Sequence, residues 1–83
     1  MQKKKKQITE LIQIGANIRR LREAQNLSRA QLAFEIDTNE KQLCRIEYGE
    51  INSGIMNYIK IARVLNIPFT ELLKKIKFSP LSH

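Results

Sequence analysis

Of the 83 residues, one is cysteine, Cys44, and one is histidine, His83. A single cysteine rules out an intrachain disulfide framework and fits a reducing compartment. Without a second cysteine or an internal histidine there is no metal-ligand spacing to read. No Ser-His-Asp set and no paired-carboxylate cleft emerges either, so neither an enzyme nor a cofactor is expected. Three glycines and two prolines are present, and no glycine-rich loop is there to cradle phosphates. Tryptophan is absent and aromatics make up 6%. No exposed aromatic platform for unstacked bases is evident, which argues against RNA as the partner. No apolar run nears the roughly 20 residues that cross a bilayer. None long enough for a signal peptide follows Lys6.

What is there is charge and periodicity. The formal net charge is +7, and its distribution says more than its size. Lys3, Lys4, Lys5 and Lys6 hold four positives, and Lys74, Lys75 and Lys77 hold three. Between Gln7 and Leu73 lie eight positives and eight negatives. The middle of the chain is formally neutral, so non-specific attraction to a polyanion is expected largely from the ends. The middle must work by placing a few charges well. Hydrophobic residues are 42% of the chain and periodic, which argues against disorder. The length allows one small domain. A core of that size is marginal, and compact helix packing or dimerisation is expected to support it.

Residues 1–7 read as a basic flexible arm, 8–78 as one all-α domain of five helices, and 79–83 as a C-terminal tail. The first helix is expected from Thr9 to Gln25, with Leu11, Ile14, Ile18 and Leu21 at spacings of three, four and three. Gly15 weakens it by about 1 kcal/mol relative to alanine, and Asn26 can end it. The second runs from Ser28 to Ile36, with Ser28 as its cap. The third runs from Asn39 to Tyr48, with Leu43 and Ile46 inward and Gly49 at its close. The fourth runs from Gly54 to Leu65, with Ile55, Tyr58, Ile59, Ala62 and Leu65 inward. Pro68 suits the start of a fifth that continues through Leu72, Leu73 and Ile76.

Helices two and three are joined by Asp37-Thr38-Asn39, too short for anything but a sharp corner. A pair of helices so joined can place the second in the major groove of DNA. At Leu27-Ser28, Leu32-Ala33, Leu43, Ile46-Glu47 and Gly49 the chain resembles the Cro and phage-repressor type of helix-turn-helix domain, the XRE family. Arg22 before these residues, and Ile61-Ala62, Leu65 and Ile67 after them, extend the resemblance from Ile14 to Leu73. Where that family usually has glycine, this chain has Asp37, and often Asn66. Both positions are expected to need a left-handed backbone, which Asp and Asn tolerate better than other non-glycine residues. Arg29 stands where the family normally has Gln, and the proline often found near Ser53 is absent.

The resemblance gives the third helix the role of reading DNA. At about 100° per residue, Lys41 and Arg45 lie nearly opposite the inward Leu43 and Ile46. Arg45 can donate a bidentate pair to guanine, and Lys41 can also meet guanine. Gln42 can pair with adenine or hold a phosphate. Glu40 can accept from cytosine, or simply favour the positive end of the helix. A plain solvated face is the alternative for all four. Phosphate contacts are expected from Ser28, Arg29 and Gln31 at the start of helix two, from Asn39, and more weakly from Asn52 and Ser53. Lys3 to Lys6 either lie on the DNA or only solubilise the chain. By resemblance, Arg22 and Glu47 form a partly buried ion pair that orients the reading helix and leaves Arg22 near the DNA backbone. Cys44 fills a tight spot or, less simply, senses oxidants or a ligand.

The resemblance implies a sequence-specific regulator of transcription, binding double-stranded DNA at a two-fold operator as a homodimer. Phe69, Leu72, Ile76 and Phe78 are the candidate dimer surface, or else part of a small satisfied core. Length and the lack of a sensor domain resemble controllers of restriction-modification systems and small phage repressors. An antitoxin that also binds a protein partner is one alternative. A protein-interaction module that has lost DNA binding is another, against which Lys41 and Arg45 speak. A cytoplasmic, nucleoid-associated location is expected, with no membrane partner.

Overall fold

In the computed structural model residues 8–76 are described. Lys3, Lys4, Lys5 and Lys6 of the arm, and Phe78, lie outside them. Four α-helices follow one another: α1 (Thr9–Ala24), α2 (Arg29–Glu35), α3 (Glu40–Glu47) and α4 (Ile55–Leu65). A 3-10 turn, Phe69–Leu73, comes last. No strand occurs among the described residues.

The helix starts and stops follow from local chemistry. Ser28 Oγ accepts from the backbone N–H of Gln31 at 3.0 Å. The Gln31 side chain accepts in return from the Ser28 N–H at 2.9 Å, which makes a reciprocal capping box. Asn39 caps α3 in the same sense, its Oδ1 accepting from the Gln42 N–H at 2.7 Å. All four α-helices end alike. The residue after the last turn takes a left-handed backbone, and it and its successor donate back to the helix carbonyls in a Schellman arrangement. At the corner between α2 and α3, Asp37 (φ 64°) donates to Phe34 and Thr38 donates to Ala33. At the other three helix ends the left-handed residues are Asn26, Gly49 and Asn66. Three of these four stops use Asn or Asp, so a chain with few glycines can still turn sharply four times.

The core is built where the apolar faces converge. Ile18 of α1, Leu32 and Ala33 of α2, Leu43 and Ile46 of α3, and Ile61, Ala62 and Leu65 of α4 are all buried. Two glycines set how closely α1 approaches α3. A Cβ on Gly15 would fall on the backbone carbonyls of Ile46 and Glu47, and one on Gly49 would strike the backbone of Ile12. The helix-weakening glycine of α1 is therefore the residue that lets the end of α3 come close.

Three expectations need correction. The buried stripe of α4 is Tyr58, Ile61, Ala62 and Leu65, whereas Ile55 is 59% exposed. Ile55, Met56, Ile59 and Ile61 are all apolar, so hydropathy alone leaves the phase of the helix open. The fifth helix is not an α-helix but a five-residue 3-10 turn. So short a segment does not offset the cost of an α-helical nucleus. The chain turns extended at Lys74 and left-handed at Lys75 (φ 64°). The side chain of Asn17, far away in sequence, donates to the carbonyls of Leu72 at 2.9 Å and Lys74 at 3.0 Å. This pins the turn to α1. Leu72 is wholly buried in its own chain's core, so it cannot belong to a dimer surface. Phe69 and Ile76 are half-buried.

Candidate nucleic-acid interface

The third helix has only two turns, and its two sides differ sharply. Leu43, Ile46 and Glu47 are buried, whereas Glu40, Lys41 and Arg45 are exposed and Gln42 is half-buried. Neither Lys41 nor Arg45 makes an ion pair among the described residues. Two cations one turn apart thus stand free on a rigid, capped helix. The same helix carries Cys44, half-buried and outside any disulfide.

Behind this face lies a buried carboxylate held by arginines from two other helices. Glu47 has no exposed surface. Arg22 donates to it twice, from Nε to Oε2 at 2.7 Å and from Nη2 to Oε1 at 3.2 Å. Its remaining terminal nitrogen, Nη1, donates to the Leu27 carbonyl at 2.9 Å. Arg22 is itself 6% exposed. The pair is therefore fully rather than partly buried, and Arg22 serves as an internal strut. Arg29 adds a second cation, its Nε donating to Glu47 Oε1 at 3.1 Å. That hydrogen bond raises the Arg29 guanidinium above its ordinary value, outweighing the opposing cost of burial. A carboxylate so deep in the protein is tolerable only with this degree of pairing. The result locks α1, α2 and α3 together at one point.

Two residues of this cluster escaped the sequence reading. Arg19 Nη1 donates to the backbone carbonyl of Glu47 at 3.3 Å, and its guanidinium lies 4.5 Å from the centre of the Tyr48 ring. Arg29 lies 6.0 Å from the same ring. The only sequence signal was spacing, since Arg19 sits one turn before Arg22 and Tyr48 follows Glu47.

The candidate phosphate contacts are already employed locally. Ser28 and Gln31 share the capping box, and Asn39 caps α3. Asn52 Oδ1 accepts from the Gly54 N–H at 3.4 Å. Ser53 accepts from Asn57 through both its hydroxyl and its carbonyl, and its N–H donates to the Tyr58 hydroxyl at 3.4 Å. These bonds fix the loops on either side of α3. They leave the side-chain amide nitrogens of Gln31 and Asn39 without a partner among the described residues.

The helix-turn-helix family model matches residues 18–72. The chain belongs to that family, in its XRE branch of DNA-binding transcription regulators. Among solved structures it is similar to the restriction-modification controller protein C.AhdI from Aeromonas hydrophila. The match has 32% identity and a TM-score of 0.75, over 78% of this chain and 98% of that one. SinR, a master regulator for biofilm formation solved in complex with DNA, matches at 27% identity and a TM-score of 0.67. It covers 74% of this helix-turn-helix chain and 98% of its own. The clp gene regulator ClgR from C. glutamicum shares the fold, with a TM-score of 0.75 at 17% identity, over 80% and 86% of the two chains. No curated protein matches the chain. Among the described residues no helix is long and apolar enough to cross a membrane.

Proposed function

We propose that this chain is a sequence-specific regulator that reads double-stranded DNA with α3 and acts as a homodimer on a two-fold operator. One observation carries the reading: Lys41 and Arg45 stand exposed, and unpaired among the described residues, on a helix whose opposite side is bolted to α1 and α2 through Glu47. A free cation on a fixed helix is what base readout requires, because the geometry of a bidentate contact tolerates little slack. In this reading Arg45 and Lys41 meet guanine edges, and Gln42 and Glu40 flank them. Arg29, Gln31 and Asn39 approach phosphates, with Ser28, Asn52 and Ser53 shaping the loops beside them.

The dimer reading draws support from a different face. A groove of about 460 Å³ opens between α1, the start of α4 and the 3-10 turn, with Leu11, Ile14, Ile55, Phe69 and Leu73 along it. Ile55 and its neighbour Met56 are each more than half exposed. Apolar surface of this kind favours burial against a second copy. Similarity to C.AhdI over nearly all of that chain supports a controller-like role.

Selection from a random duplex library tests the reading. The expected outcome is a two-fold site with half-sites about 10 base pairs apart, centre to centre, occupied by two chains. A library that shows no enrichment over many rounds would contradict it.

A further inference from the structure

The reading face of α3 does not stop at Arg45. Lys41, Arg45 and Tyr48 follow at spacings of four and three, so one exposed stripe runs down the helix and ends on a half-exposed ring. At that ring two more cations arrive, Arg19 from α1 and Arg29 from α2. Each is tethered on one side only. Arg29 is held through Nε by Glu47, and Arg19 through Nη1 by the Glu47 carbonyl. The remaining N–H groups of both have no partner among the described residues. Arg19, Arg22 and Arg29 face the carboxylates of Glu47 and Glu23, so this corner keeps one formal positive charge in excess, next to the stripe that the proposed function assigns to DNA.

We propose that Tyr48 is a positioning residue whose ring holds Arg19 and Arg29 in place as a paired phosphate contact beside the reading helix. The inference rests on the DNA-binding reading and deepens it. An exposed arginine normally loses much rotamer freedom when it docks on a phosphate. A guanidinium already stacked on an aromatic face and tethered at one nitrogen has surrendered that freedom in the free protein, so docking costs less. Both arginines keep donors that no described residue occupies, and phosphate recognition by a guanidinium uses two such donors at once. Such a contact carries no sequence information. It fixes where α3 sits along the groove.

The test uses the full chain and a random-sequence duplex of about 20 base pairs, titrated by fluorescence anisotropy over a series of salt concentrations. Arg19→Gln and Arg29→Gln should each reduce the salt slope by about 0.9. Tyr48→Leu should weaken binding about two- to fivefold, the size of an exposed cation–π contact, and Tyr48→Phe should restore wild-type affinity. In a background carrying both Arg19→Gln and Arg29→Gln, Tyr48→Leu should have no further effect. Tyr48→Gln serves as a second ringless variant if melting shows that Tyr48→Leu is unfolded. The proposal is overturned if Tyr48→Leu leaves affinity unchanged, or if its loss persists in the double-glutamine background. It is equally overturned if Tyr48→Phe falls as far as Tyr48→Leu, since the hydroxyl would then be the contact. A wild-type chain that fails to bind the duplex would instead remove the DNA reading itself.

Discussion

Glu47 is the residue on which most of the site depends. Its carboxylate is buried and shared between Arg22 and Arg29, so neither arginine is individually indispensable. Arg22→Met should therefore destabilise the fold by less than the roughly 3–5 kcal/mol of a fully orphaned buried charge. Removing Arg22 and Arg29 together should reach that range. Replacing Arg22 and Glu47 jointly by apolar residues of similar volume should recover most of the loss. Thermal melting of the three variants checks the order, and a wild-type midpoint for Arg22→Met would contradict it. Gly15 makes the opposite case, where local propensity misleads. By helix propensity Gly15→Ala should gain about 1 kcal/mol. The new Cβ would meet the carbonyls of Ile46 and Glu47, and forcing α1 away from α3 should cost about 1–3 kcal/mol instead. Melting decides between the two signs. A rise in midpoint would show that the helices separate freely.

At the scale of elements, helix ends were the most legible part of the sequence. Ser28, Asn39, Asn26, Asp37, Gly49 and Asn66 all act within a few residues of themselves, so their roles can be read from neighbours in the chain. Asp37 sits left-handed at φ 64°. Asp37→Gly should leave stability unchanged or raise it by up to about 1 kcal/mol, whereas Asp37→Val should lower it by at least about 1 kcal/mol. Denaturant unfolding measures both, and equal effects would show that the corner does not depend on backbone handedness. Long-range contacts were not legible. The 3-10 turn is pinned by Asn17 from 55 residues away, a bond that no local pattern announces. The phase of α4 was hidden by an excess of apolar positions. The Arg22–Glu47 pair was anticipated by family resemblance, but the second arginine on Glu47 was not. The place of Arg29 at the start of α2 points to a phosphate, and its bond to Glu47 has no local signal. Arg19 and Tyr48 gained meaning only once α1 and α3 were seen to cross.

For the whole molecule, charge and reading are divided. The formal excess of positive charge lies at the two ends of the chain, while Gln7 to Leu73 balance. Deleting residues 1–6 removes four lysines. If they contact DNA, each lost phosphate contact should reduce the salt slope by about 0.9 and weaken binding on every sequence alike. An unchanged slope would make the arm a solubilising segment only. Under the proposed function sequence preference resides in α3, so it should survive the deletion. The most direct test of the account compares wild type with Arg45→Ala on two duplexes, the site selected from a random library and a shuffled version of it. Loss of Arg45 should cost about 1–3 kcal/mol on the selected site and little on the shuffled one. An equal loss on both would show that α3 holds the backbone without reading the bases.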